Sequence, residues 1–172
     1  MRKLFFPLSL LFTLTINAQI EVVKFVGKNS SDLSIGFGAA LNFSIPVSNA
    51  AYATIEGSFV YAQVKGSGYS EGIALVPIKV GYRYMLNGSG TGLYVEPQAG
   101  YCVTGALTNA IVDEHIRGFD WAIGTGYLFE PWGKLQFDIG LRYEMVHFKD
   151  GPASFIALRI SHNFSFGRRN SD

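Results

Sequence analysis

Leu135-Gln136-Phe137-Asp138-Ile139-Gly140-Leu141-Arg142-Tyr143-Glu144-Met145 alternates without a break. The odd positions carry Leu, Phe, Ile, Leu, Tyr and Met; the even ones carry Gln, Asp, Gly, Arg and Glu. A period of two places the two sets on opposite faces of a β-strand, whereas a helix would mix them. The same rule sorts residues 33–44 into Leu33, Ile35, Phe37, Ala39, Leu41 and Phe43 against Ser34, Gly36, Gly38, Ala40, Asn42 and Ser44. It sorts residues 153–166 into Ile156, Leu158, Ile160, Phe164 and Phe166 against Ala157, Arg159, Ser161, Asn163 and Ser165.

Four further stretches follow the pattern: 51–64 with Glu56 on the polar face, 73–86 with Lys79 and Arg83, 93–104 with Glu96, Gln98 and Thr104, and 118–129 with Asp120. Residues 20–27 are β-branched enough to supply an eighth strand. The connections agree with an eight-stranded antiparallel up-and-down transmembrane barrel. With both chain ends in the periplasm, 28–32, 65–72, 106–117 and 149–152 lie outside, and 46–49, 87–91 and 130–133 lie inside. The two longest connections then fall on the outer side, as in bacterial barrels.

The chain opens with an address. Arg2 and Lys3 form a positive head, residues 4–16 an apolar run, and Asn17-Ala18 before Gln19 a cleavage point. The run is too short to cross a bilayer as a helix. Residues 1–18 are therefore predicted to be a cleaved signal peptide and 19–172 an outer-membrane barrel. No Cys follows the cleavage point, so lipoprotein processing has no support.

Taking Arg2 and Lys3 from the 14 basic residues leaves 12 against 13 acidic ones, which gives no electrostatic case for nucleic acid. Cys102 is the single cysteine and has no partner for an internal disulfide. The mean hydropathy is +0.21, yet no later stretch is apolar over 18 residues, which excludes a helical membrane protein and leaves a β one.

Alternation does not by itself say which face points inward. A soluble up-and-down barrel would place the apolar set inside. Volume decides against it: the interior of eight strands is only just wide enough for side chains to fill, and this apolar face is crowded with Phe, Tyr, Trp, Leu and Ile. The opposite face, rich in Gly, Ala and Ser with a few charges, suits a cramped lumen. Aromatic residues also gather toward the strand ends, among them Tyr82, Tyr84, Phe129, Trp132, Tyr143 and Phe148, as interfacial girdles require.

The segments Val76-Pro77-Ile78-Lys79-Val80-Gly81-Tyr82-Arg83-Tyr84, Gly92-Leu93-Tyr94-Val95-Glu96-Pro97-Gln98-Ala99-Gly100-Tyr101 and Leu158-Arg159-Ile160-Ser161-His162-Asn163-Phe164-Ser165-Phe166 resemble the small outer-membrane barrels of the OmpX and OmpA transmembrane-domain type, the "outer membrane protein beta-barrel" domain family. The resemblance covers the whole chain after the address. It implies a last strand whose terminal aromatics are read by the barrel-assembly machinery, here Phe164 and Phe166, although this chain continues through residues 167–172. It also implies contact with outer-membrane lipids and lipopolysaccharide.

The lumen face collects Glu56, Glu96, Asp120, Asp138 and Glu144 against Lys79, Arg83, Arg142 and Arg159. Charges in so narrow a space must pair, so a salt-bridge plug is predicted, with a narrow gated pore for ions or small solutes as the alternative. A lipid A-modifying enzyme is the weaker reading. Such a site needs a His and a Ser side by side on the lipid face, and His162 has Ile160 and Phe164 as same-face neighbours while Ser161 points inward. His147 has only Met145 and Lys149 beside it. Asp113, Glu114 and His115 in the long outer connection read as solvated loop residues, and neither a metal nor a cofactor is expected. The outer connections, with Tyr69 and residues 107–117, are left as the surface for an extracellular partner of a monomeric barrel.

Overall fold

A computed structural model describes residues 14–27, 30–66, 72–108, 113–115, 117–132, 135–149 and 151–166; for 14–15, 106–108, 113–115, 131–132, 135 and 163–166 it describes the backbone alone. The strands are β1 (Leu14–Val26), β2 (Ile35–Ser48), β3 (Ala51–Gln63), β4 (Gly72–Met85), β5 (Gly92–Thr108), β6 (Asp113–His115), β7 (Gly118–Trp132), β8 (Leu135–Phe148) and β9 (Gly151–Phe166). All pairings are antiparallel. Their order is β4-β3-β2-β1-β9-β8-β7-β5, and the β4–β5 pairing closes the ring into an eight-stranded barrel. The short β6 pairs only with the end of β5, at Ala106↔His115 to Thr108↔Asp113, and stands outside the ring.

The alternation read in the sequence is the alternation of the wall. Ile20, Phe37 and Val80 on the outer face are 71%, 64% and 59% exposed, while Glu21, Lys79 and Arg142 on the inner face are buried. The chain thus turns its large apolar side chains outward all around the ring. The two faces are those of a membrane barrel and the reverse of a soluble one.

Three positions depart from the predicted places. Phe148, read as part of the interfacial girdle, shares the inward phase of Glu144 and Val146 and packs against the lumen cluster at the end farther from the chain termini. Thr104, read as lumen-facing, is exposed on the outside. The register shifts between Val76 and Pro77, where Val76 pairs with Thr104 but Pro77 with Cys102. The extra residue sets Val103 and Thr104 both outward and returns the phase at Gly105. Leu33, read as outward, instead packs against a cluster inside the barrel.

The lumen is layered along its axis. The end farther from the chain termini holds Val23, Phe25, Val60, Ala62, Ile73, Leu75, Cys102, Val146, Phe155 and Ala157, with Phe25 and Phe155 ring to ring at 5.2 Å. The terminal end holds Met85, Tyr94 and Leu128, with Ala50 and Tyr52 against them. The charges occupy the middle. The sequence reading anticipated a lumen of small and charged residues; the apolar clusters are additional, one at the far end and a partial one from β4, β5 and β7 at the terminal end, where β1, β2 and β9 turn Asn17, Gln19, Ser44 and Ser161 inward.

Candidate functional site in the charged lumen

Every lumen charge predicted from sequence lies inside the barrel, and the buried set includes one more, Glu21 of β1. Arg142 on β8 is the hub. Its Nη2 donates to both Glu21 oxygens at 2.8 and 2.9 Å, its Nη1 donates to Glu56, and its Nε lies 3.0 Å from Glu144 Oε2. Lys79 on β4 reaches the same group: its Nζ meets Glu144 Oε2, lies 3.3 Å from Glu56 Oε1 and 4.0 Å from Asp120 Oδ2. Four carboxylates from four strands thus converge on two cations.

A second cluster lies one layer toward the termini. Arg83 donates to Glu96 Oε2 through Nη2 at 2.8 Å and Nε at 3.1 Å, and its Nη1 lies 3.1 Å from Asp138 Oδ2. The guanidinium carbon sits 4.2 Å from the centre of the Tyr94 ring, while the Tyr94 hydroxyl donates to Asp138 Oδ1 at 2.7 Å. Such a cation over an aromatic face adds to the ion pairs where water is excluded. Arg159 joins the two clusters, with Nη1 3.9 Å from Glu56, Nη2 3.6 Å from Glu96, and Nη2 donating to Tyr94 Oη at 3.2 Å. Thr54 and Gln98 donate to the remaining Glu96 oxygen.

Small residues make the room. A Cβ on Gly126 would stand 2.5 Å from Tyr94 Oη, and one on Gly140 would stand 2.9 Å from the same atom. The glycines on the inward faces of β7 and β8 are therefore the space that Tyr94 fills. Gly residues in an otherwise regular strand often mark such close approach.

Glu21 went unread because its strand does not sort cleanly by polarity. Glu21, Val23 and Phe25 all face inward, and Lys24 faces outward with its Nζ donating to Leu33 O at 3.1 Å. The signal was present in register: Glu21 is level with Gly38 on β2 and Arg159 on β9.

Both lipid-facing histidines lie beside aromatic rings. His162 packs edge-on against Phe137 at 5.1 Å, and Ser161 on the same strand is buried in the lumen. His147 lies 6.4 Å from the Phe119 ring. No group of three or more His, Cys, Asp or Glu among the described residues is arranged to hold a metal; the side chains of Asp113, Glu114 and His115 lie outside the description, as do those of Phe164 and Phe166. The backbone of the latter two continues β9, where they are level with Ile16 and Leu14.

No protein-family model and no curated protein matches the chain. Solved structures do. The fold superposes on Neisserial surface protein A with a TM-score of 0.67 at 12% identity, covering 89% of this chain and 97% of that one. It is similar to the attachment invasion locus protein of Yersinia pestis, solved with a heparin analogue (TM-score 0.51, 18% identity, 88% and 97% covered), and to the N-terminal barrel domain of Pseudomonas aeruginosa OprF (0.51, 12%, 87% and 97%). At these identities the likeness is one of fold alone, the small eight-stranded antiparallel barrel that these outer-membrane proteins share.

Proposed function

We propose that this chain is a monomeric integral outer-membrane protein with a structural or surface-interaction role, its lumen filled by an ionic plug and closed to solutes. The observation that carries the reading is Arg142. Its guanidinium is fully buried, held by carboxylates from β1, β3 and β8, with the Phe25–Phe155 apolar cluster between it and the far mouth. A path for ions would have to part these pairs and cross the Phe25–Phe155 layer. With the lumen occupied, the surfaces left for work are the belt, which meets membrane lipid and lipopolysaccharide, and the outer connections, which are open to an extracellular partner. The name of the Yersinia neighbour, attachment invasion locus protein, is in keeping with the second. Export through a signal peptide ending at Ala18, and delivery by an assembly machinery that reads Phe164 and Phe166, complete the proposal.

One observation favours the alternative of a narrow gated pore. Ser58 Oγ and Gln98 Oε1 are buried in the ionic layer with no hydrogen-bond partner among the described residues, and buried polar atoms of that kind are commonly served by water. The two readings separate in a planar bilayer. Purified protein inserted under an applied voltage is expected to leave the baseline flat; reproducible single-channel steps would overturn the plug and establish the pore.

A further inference from the structure

The wall is not uniformly laced. β1 and β9 pair at every step from Leu14↔Phe166 to Val26↔Ser154, and β8 and β9 from Gln136↔Asn163 to Phe148↔Gly151. The irregularities of β2–β3 and β7–β8 fall at strand ends, at Pro46/Ser48 and Phe129/Trp132. Both edges of β4 are interrupted in mid-strand, around Val76 and Pro77, and the β5 edge lapses again nearer the end of β4. Against β3, pairing stops at Gly57↔Ile78 and resumes at Val60↔Leu75, passing over Ser58 and Phe59 opposite Val76 and Pro77. Against β5, the register shifts at Val76/Pro77, and pairing then lapses between Gly81↔Gln98 and Tyr84↔Val95, passing over Tyr82 and Arg83 opposite Glu96 and Pro97.

Each lapse contains a proline. Pro77 and Pro97 have no N–H to give to a ladder, and proline is normally kept out of strands paired on both sides. In a membrane wall, where no water replaces a missing bond, the deficit is felt in full. Beside the lapses, contacts in the lumen supplement the ladder that pairs the rest of β4. Lys79 lies 3.3 Å from Glu56, its partner across the β3 edge, and Arg83 bonds twice to Glu96, the residue facing it across the lapsed step of the β5 edge. The two cations of β4 thus stand beside the two lapses in its backbone pairing.

We propose that β4 is the movable stave of this barrel: the wall opens first along the edges of β4, and the Arg83–Glu96 pair is the latch that holds the β5 edge shut. The ionic layer then does more than fill the lumen. It braces the strand whose pairing is interrupted on both edges.

Residue-resolved hydrogen–deuterium exchange by NMR, on the full protein refolded into phospholipid nanodiscs, tests this. In the native protein, amides at 58–59, 82–83 and 96 are expected to exchange faster than those at the same depth in β8 and β9, such as Ile139 and Ile160. Glu96→Gln weakens the latch and should speed exchange at 82–84 and 95–96 by about tenfold or more while β8–β9 stays unchanged, since local openings are independent of global unfolding. Pro97→Val, whose side chain points away from the lumen and so spares the ionic layer, restores an N–H and should slow exchange at 82–84. Equal protection of β4 and β8–β9 in the native protein would overturn the proposal. So would a uniform rise in Glu96→Gln, or no change in Pro97→Val.

Discussion

At the scale of the residue, Arg142 and Asp120 are opposite cases within one lumen. Arg142 is held by three carboxylates, and removing it strips Glu21 of its ion pair and leaves Glu56 and Glu144 with Lys79 as their nearest cation. Arg142→Met should therefore destabilise the barrel by about 3–5 kcal/mol, the usual result of stripping one partner from a buried ion pair. Asp120 is different: its one ion pair, with Lys79, is the longest in the lumen at 4.0 Å. The buried set also carries six carboxylates (Glu21, Glu56, Glu96, Asp120, Asp138 and Glu144) to four cations, so Asp120→Asn removes a charge already in surplus. It should change stability by less than about 1 kcal/mol or raise it. Urea unfolding in phospholipid vesicles measures both, and a loss for Asp120→Asn as large as for Arg142→Met would refute the hub assignment. The charges of this network were legible in sequence wherever they sat on the polar phase of a clean alternation. Which of them pair was not legible, because partners come from strands far apart in the chain, as with Arg142 and Glu21.

At the scale of the element, the strands were legible because one face of each meets lipid and must be apolar, which fixes the phase. The phase failed to carry through in two places. At Val76/Pro77 a bulge slips it by one, and nothing in the composition of 93–104 marks the partner residue Thr104 as the one displaced. In β1 the inward residues change from Asn17, Gln19 and Glu21 to Val23 and Phe25 as the strand passes from the ionic to the apolar layer, so polarity no longer reports direction. β1 also runs back to Leu14, across the predicted cleavage point, with Asn17 buried beside Ser44. Cleavage after Ala18 would leave β1 with Gln19–Val26, still paired to Ser161 through Ser154 of β9, and would release Phe164 and Phe166 from their β1 partners. Such a cleavage would leave the end of β9 with an open edge. The intact mass of protein recovered from outer-membrane fractions should correspond to a chain beginning at Gln19. A mass retaining Leu14 to Ala18 would place those residues in the finished wall instead.

At the scale of the whole molecule, the exposed belt and the filled lumen follow from one constraint. Eight strands enclose too little volume for the large apolar set, so the set goes outside and the membrane becomes its solvent. The layering of the lumen follows less directly. It depends on which inward residues share a level once eight tilted strands are in register, as when Val23, Leu75 and Phe155 meet from β1, β4 and β9. No single segment shows this. The belt itself can be tested by depth. Ile160 is level with Ile20 on one side and Ile139 on the other, in the middle of strands whose outward faces are exposed and apolar. Val47, equally exposed, lies at the terminal-end edge of β2. If the belt faces hydrocarbon, Ile160→Arg should lower stability in a bilayer by about 2–4 kcal/mol, whereas Val47→Arg should lower it by about 0–1 kcal/mol, because the penalty for a lipid-facing cation falls from the midplane to the interface. If the belt faced water or another protein, no such depth profile would be expected, since exposed substitutions in water usually move stability within about 0.5 kcal/mol. Heat-modifiable gel migration reports whether each variant folds, and unfolding titrations in vesicles report the difference. Equal costs at the two positions would contradict a membrane-spanning belt centred on Ile160.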